Sequence, residues 1–92
     1  MYIDLIIWDD EDDPKGNVQH ITGSGEVTVE EVEDVLHESD GPTEQSRRTG
    51  KPIVFGTTST SKRIAVVFTF EDDPHLILIR PETAYPVREY GE

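Results

Sequence analysis

Ninety-two residues set the size of one domain, and the absence of cysteine excludes disulfides and thiolate metal sites. No stretch approaches the roughly 18 apolar residues that span a bilayer. The apolar opening Met1–Trp8 lacks the basic flank of a signal peptide, so the expected location is the cytoplasm.

The net charge of −12 is unevenly spread. Residues 1–46 hold fourteen acids against one base, Lys15, whereas residues 47–92 hold seven bases and six acids. Such a molecule repels nucleic acid at long range, although Arg47, Arg48, Lys51, Lys62 and Arg63 leave a local basic stretch. The run Asp9–Asp13 invites a calcium reading. An EF-hand loop needs glycine sixth and glutamate twelfth. From Asp9 the sixth residue is Pro14; from Glu11 it is Gly16, but the twelfth is Thr22. Neither frame fits, and no metal or cofactor is expected.

In chain order, residues 2–8 read as a strand that the aspartates stop, since aspartate is depleted in strands and self-repels. Pro14 suits a first helical turn, and Asp12 or Asp13 can cap a short helix over 14–21 that carries Val18 and Ile21 inward. Gly23-Ser24-Gly25 is a loop. Thr28-Val29-Glu30-Glu31 has the form of a capping box. Val29, Val32, Val35 and Leu36 then make one apolar stripe, which predicts a helix over 29–38 ending before Gly41-Pro42.

Residues 42–50 are polar and read as a loop or an irregular edge strand. The apolar period then changes to two. Pro52–Phe55 is a strand closed by Gly56. Arg63–Phe70 is a strand with Ile64, Val66, Phe68 and Phe70 on one face and Ala65, Val67 and Thr69 on the other. Residues 71–74 form a turn and 75–79 the return strand. Pro81 ends or bulges that strand, and 83–87 continues it as an edge segment. The fold class is therefore α+β: an N-terminal strand and two helices packed on a twisted antiparallel sheet of three to four strands.

Several strings fall in a telling order: Trp8-Asp9, Asn17, His20-Ile21, Val27-Thr28-x-Glu30-Glu31-Val32-x-x-Val35-Leu36, Thr49–Gly56, Arg63–Phe68 and Pro81-x-Thr83-Ala84-Tyr85. In this order they resemble the BrnT-like branch of the RelE-type toxins, small bacterial ribonucleases that pair with an antitoxin. The resemblance covers about residues 7–88. It implies two helices on a twisted antiparallel sheet, a cognate antitoxin as partner, and messenger RNA cleavage without a metal. That chemistry needs a base for the 2′-hydroxyl, cations for the phosphate and an acid for the leaving oxygen. His20 matches the family's histidine, and Arg63 matches the basic residue that opens the central strand. The basic position before the histidine is Gln19 here. Tyr85 stands where arginine is usual, with Arg80 and Arg88 nearby.

The candidate catalytic residues are thus His20, Arg63, Arg80 and Tyr85, each with a plainer reading. His20 is a general acid or base or a polar helix residue; His37 suits a helix C-terminus. Pairing about a turn at 71–74 puts Arg63 opposite roughly residue 82 and Arg80 opposite roughly residue 65, so both can meet one phosphate; otherwise they are separate surface cations. Tyr85 moves a proton or covers the core with its hydroxyl wet. The competing function is a non-catalytic module that binds a protein through its acidic helical half or its sheet edge.

Overall fold

The structure is a computed structural model that describes residues 1–39, 41–42 and 44–87. Arg88 lies outside the described residues. The elements are β1 (Leu5–Ile6), α1 (Asn17–Thr22), α2 (Val29–Glu38), β2 (Glu44–Gln45), β3 (Pro52–Thr57), β4 (Arg63–Glu71) and β5 (Leu78–Pro86).

The capping box forms as expected. Thr28 Oγ1 accepts from the Glu31 amide at 3.2 Å, and Glu31 Oε1 accepts from the Thr28 amide at 2.9 Å. Two otherwise unpaired donors of the first turn are thereby satisfied. Val32, Val35 and Leu36 are buried against the sheet together with Ile21, Val54, Ile64, Val66, Phe68 and Ile79. Burial of such side chains contributes about 1.5–3 kcal/mol each, which is what holds two short helices in place.

The chain is α+β, with five strands in a mixed sheet of order β1-β5-β4-β3-β2 rather than three or four antiparallel ones. The β2–β3, β3–β4 and β4–β5 pairs are antiparallel, and β1 runs parallel to β5. Asp4 sets that parallel edge: its carboxylate accepts from the Ile77 amide at 2.7 Å, while its own amide donates to the Ile77 carbonyl at 2.9 Å. The hydroxyl of Tyr2, then the Ile77 amide, hold the Asp4 carboxyl below its ordinary pKa. The expected strand over 2–8 shrinks to two residues. Its buried side chains, Ile3 and Ile6, are three apart, and Leu5 is 57% exposed. The amides of Asp4 and Leu5 both donate to the Ile77 carbonyl, at 2.9 and 3.4 Å, and regular alternation is broken there.

The first helix starts at Asn17, not Pro14, and its cap is neither Asp12 nor Asp13. Asp9 performs that role from eight residues upstream, accepting from the Asn17 amide at 2.9 Å. Gly16 permits the approach, since a Cβ there would meet the Asp9 Cβ at 2.7 Å.

The return strand begins at Leu78 and passes through Pro81, instead of spanning 75–79. The ladder shifts register between Val67 and Phe68, opposite the bulge that accommodates the proline. The longer turn leaves Leu76 and Ile77 exposed. Phe70, expected inward, is 54% exposed. It packs edge-to-face on Phe68, with centroids 5.5 Å apart, at a point of β4 beyond the helices. Both helices cover one sheet face. The other face is open and carries a smaller cluster of Ile53, Ala65 and Val67 with Phe55 and Val87.

Candidate functional site

The end of the sheet nearest α1 is organised by Asn17, which is 6% exposed. Its Oδ1 accepts from the Asp9 amide at 2.8 Å, and its Nδ2 donates to the carbonyls of Ile7 at 3.0 Å and Pro81 at 2.9 Å. One side chain therefore ties the chain after β1, the start of α1 and the bulge of β5 together. It leaves no buried side-chain polar atom without a partner among the described residues.

Charged groups of alternating sign run outward from this knot. Arg80 Nη2 donates to Asp9 Oδ2, Arg80 Nε lies 3.7 Å from Glu82 Oε2, and Glu82 Oε1 accepts from Lys51 Nζ at 2.7 Å. The hydrogen bond from Arg80, and then that from the Asn17 amide, hold the Asp9 carboxyl below the usual carboxylate pKa. The same contact with Asp9 raises the Arg80 guanidinium further. A hollow of about 210 Å³ opens beside these groups, lined by Asp9, Lys15, Asn17, His20, Arg80 and Glu82.

His20 and Arg80 are thus brought to one hollow. The His20 side chain is exposed and has no hydrogen-bond partner among the described residues. Arg63 is elsewhere. Its carbonyl accepts from the Val87 amide at 2.9 Å, whereas Arg80 lies opposite Thr69. These replace the expected partners near residues 82 and 65, and the cause is the longer turn and the bulge. Six residues of β4 separate the two positions, about 20 Å at ~3.3 Å per residue. They do not meet one phosphate. Arg63 instead holds its guanidinium carbon 6.0 Å from the Phe55 ring centroid, within cation–π reach. Tyr85 lies opposite Ala65 on the open face and is 44% exposed. The open face therefore carries two separate polar ends with an aromatic strip of Phe55 and Tyr85 nearer Arg63.

Reading candidate residues by type missed Asp9, Asn17, Glu82 and Lys51. Asp9 and Asn17 had a usable signal: two short hydrogen-bonding side chains flanking an acidic turn that leads into a helix. Glu82 and Lys51 had none, because their meeting depends on the bulge. Among the described residues no group of three or more His, Asp or Glu side chains could hold a metal. No described helix is long and apolar enough to cross a membrane. No protein-family model, curated protein or solved structure matches this chain.

Proposed function

We propose that the chain is a divergent BrnT/RelE-like domain acting as a non-catalytic protein-interaction module, with an antitoxin-type protein as its partner class. The lineage is supported by the ordered strings from Trp8 to Tyr85 and by two consecutive helices on one sheet face. The observation that carries the functional reading is the state of Arg80. Metal-free cleavage of RNA needs a cation open to the phosphate, and Arg80 is spanned by Asp9 and Glu82. Arg63, the other candidate cation, lies at the far end of the sheet, and the net charge of −12 opposes RNA approach.

RNA cleavage is the second reading, favoured by the hollow that His20 shares with Arg80. Purified chain incubated with messenger RNA separates the two. The module reading expects no fragments above the level of a His20→Ala, Arg63→Ala double variant. Fragments ending in a cyclic phosphate that disappear in that variant would overturn it.

A further inference from the structure

We propose that the outer edge of β3 at Phe55–Thr57 takes an extended, lysine-bearing segment of a partner protein by strand addition. The proposal rests on the interaction-module reading and assigns it a surface and a ligand chemistry. It starts from the hydrogen-bond phase of β3. The Ser46 amide donates to the Lys51 carbonyl at 2.8 Å on the outer side, and the Thr58 amide donates to the Lys62 carbonyl at 2.7 Å on the inner side. Antiparallel strands alternate their hydrogen-bonding direction residue by residue. Residues 51, 53, 55 and 57 therefore turn their N–H and C=O groups outward.

Along that edge β2 serves only the first part. Glu44 lies opposite Ile53, and β2 begins there. The same register would put Pro42 opposite Phe55, but proline has no N–H to give, and Pro42 lies outside the strand. Among the described residues the outward groups of Phe55 and Thr57 have no strand beside them. A strand edge of this kind is a template for another chain.

A groove of about 310 Å³ faces this edge, with Val35, Glu38 and Ser39 on the helix side, Gly41 of the chain after α2 at its rim, and Phe55, Gly56 and Thr57 on the strand side. Its apolar part is Val35; the Phe55 ring lies on the opposite, open face beneath Arg63, so Phe55 offers this edge its backbone. The groove's side-chain charge is negative, and that selects the occupant; the nearby Met1 ammonium is held by the carbonyls of His37 and Ser39. Asp34 Oδ2 lies 3.5 Å from Ser59 Oγ, just past the end of β3, and Glu38 lines the groove itself. Neither carboxylate has an ion-pair partner among the described residues. Four helical residues rise about 6 Å, and side chains two apart on a strand are about 6.6 Å apart. Asp34 and Glu38 therefore match the spacing of two lysines at alternate positions of an added strand. The lysines face α2, and the strand's backbone meets Phe55 and Thr57.

The test uses the full chain and a short synthetic peptide of alternating lysine and valine, read by amide NMR and fluorescence anisotropy. Binding should shift and protect the Phe55 and Thr57 amides against hydrogen exchange. A glutamate–valine peptide, and a lysine–valine peptide N-methylated at alternate amides, should each bind at least tenfold more weakly. Thr57→Pro removes an outward N–H and spares the β4 ladder, so a folded variant should also lose at least tenfold. Should that variant not fold, Asp34→Lys with Glu38→Lys, both on the helix surface, should reverse the preference toward the glutamate–valine peptide. Equal binding of the N-methylated peptide, no binding, an unchanged preference in the double-lysine variant, or self-association through this edge in sedimentation would each overturn the proposal. An absent peptide response in a chain that also leaves RNA intact sinks this surface alone. RNA cleavage lost on His20→Ala sinks the module reading itself.

Discussion

Asp9 and Asn17 bind each other twice, amide to side chain in both directions, across an acidic turn that sets them eight positions apart. The pair does for the first half of the chain what the α2 capping box does locally. It anchors a six-residue helix too short to be stable alone, and it hands the Asn17 amide group to the carbonyls of Ile7 and Pro81.

Replacing Asn17 by alanine should therefore cost more than an average surface change. Two carbonyls and the Asp9 amide lose their partner, the Pro81 carbonyl in a buried setting and the other two in part-buried ones. Unsatisfied groups of this kind cost about 1–3 kcal/mol each, and water reaches some of them. The expected loss is about 2–4 kcal/mol, read by urea unfolding. Asn17→Asp keeps the acceptor but turns a carboxylate toward two carbonyls, so it should be at least as damaging.

The acid limb of stability follows from Asp9. Its carboxyl has a lower pKa folded than unfolded, because Arg80 and the Asn17 amide bind the charged form. The unfolded chain takes up this proton first as pH falls. The stabilisation is thus complete above the ordinary aspartate pKa of about 3.9 and lost as pH falls through the lower folded value. Melting temperature recorded from pH 6 to pH 2 should fall less steeply in Asp9→Asn than in the parent.

The parts of this fold that are legible in sequence are those in which neighbours along the chain decide the outcome. Thr28 and Glu31 are three apart, and the Val32, Val35 and Leu36 stripe follows at once, so α2 is found at its observed bounds. Strand β4 alternates over eight residues, and Ile64, Val66 and Phe68 do point at the helices. What escapes is set at a distance. The direction of β1 depends on Asp4 meeting Ile77, seventy-three residues away. The hairpin register depends on the length of the turn after Glu71, which moves Arg80 from its expected place near residue 65 to a place opposite Thr69 and so away from Arg63. Residue type and a hairpin register counted from a short turn marked Arg80 as a cation for phosphate. Only the fold brings Asp9 and Glu82 to it.

Gly56 reports on the contact between α2 and β3. A Cβ at this position would sit 2.8 Å from Val35 Cγ1, closer than real side chains approach. Gly56→Ala should destabilise by about 1–3 kcal/mol, the range for overpacking. Val35→Ala removes the obstructing methyls at its own cost. Because the two residues touch, their effects should not add: the double variant should be more stable than the sum of the single losses implies. Additive losses would mean that α2 moves away instead of pressing on the strand.

On the proposed reading, the ion pairs around Arg80 withhold its guanidinium from RNA phosphate. Asp9→Asn with Glu82→Gln removes both carboxylates that span the guanidinium while leaving the cation in place. Asp12→Asn with Asp13→Asn makes the same change in net charge on the turn, away from Arg80. If local pairing is what withholds Arg80 from phosphate, the first variant alone should gain a phosphate contact. For single-stranded RNA each such contact steepens the slope of log K against log salt by about 0.7. Titrations of both variants at several salt concentrations read that slope. A steeper slope confined to the Asp9, Glu82 variant supports local neutralisation. Equal slopes in the two variants would place the barrier in the net charge of the whole molecule instead.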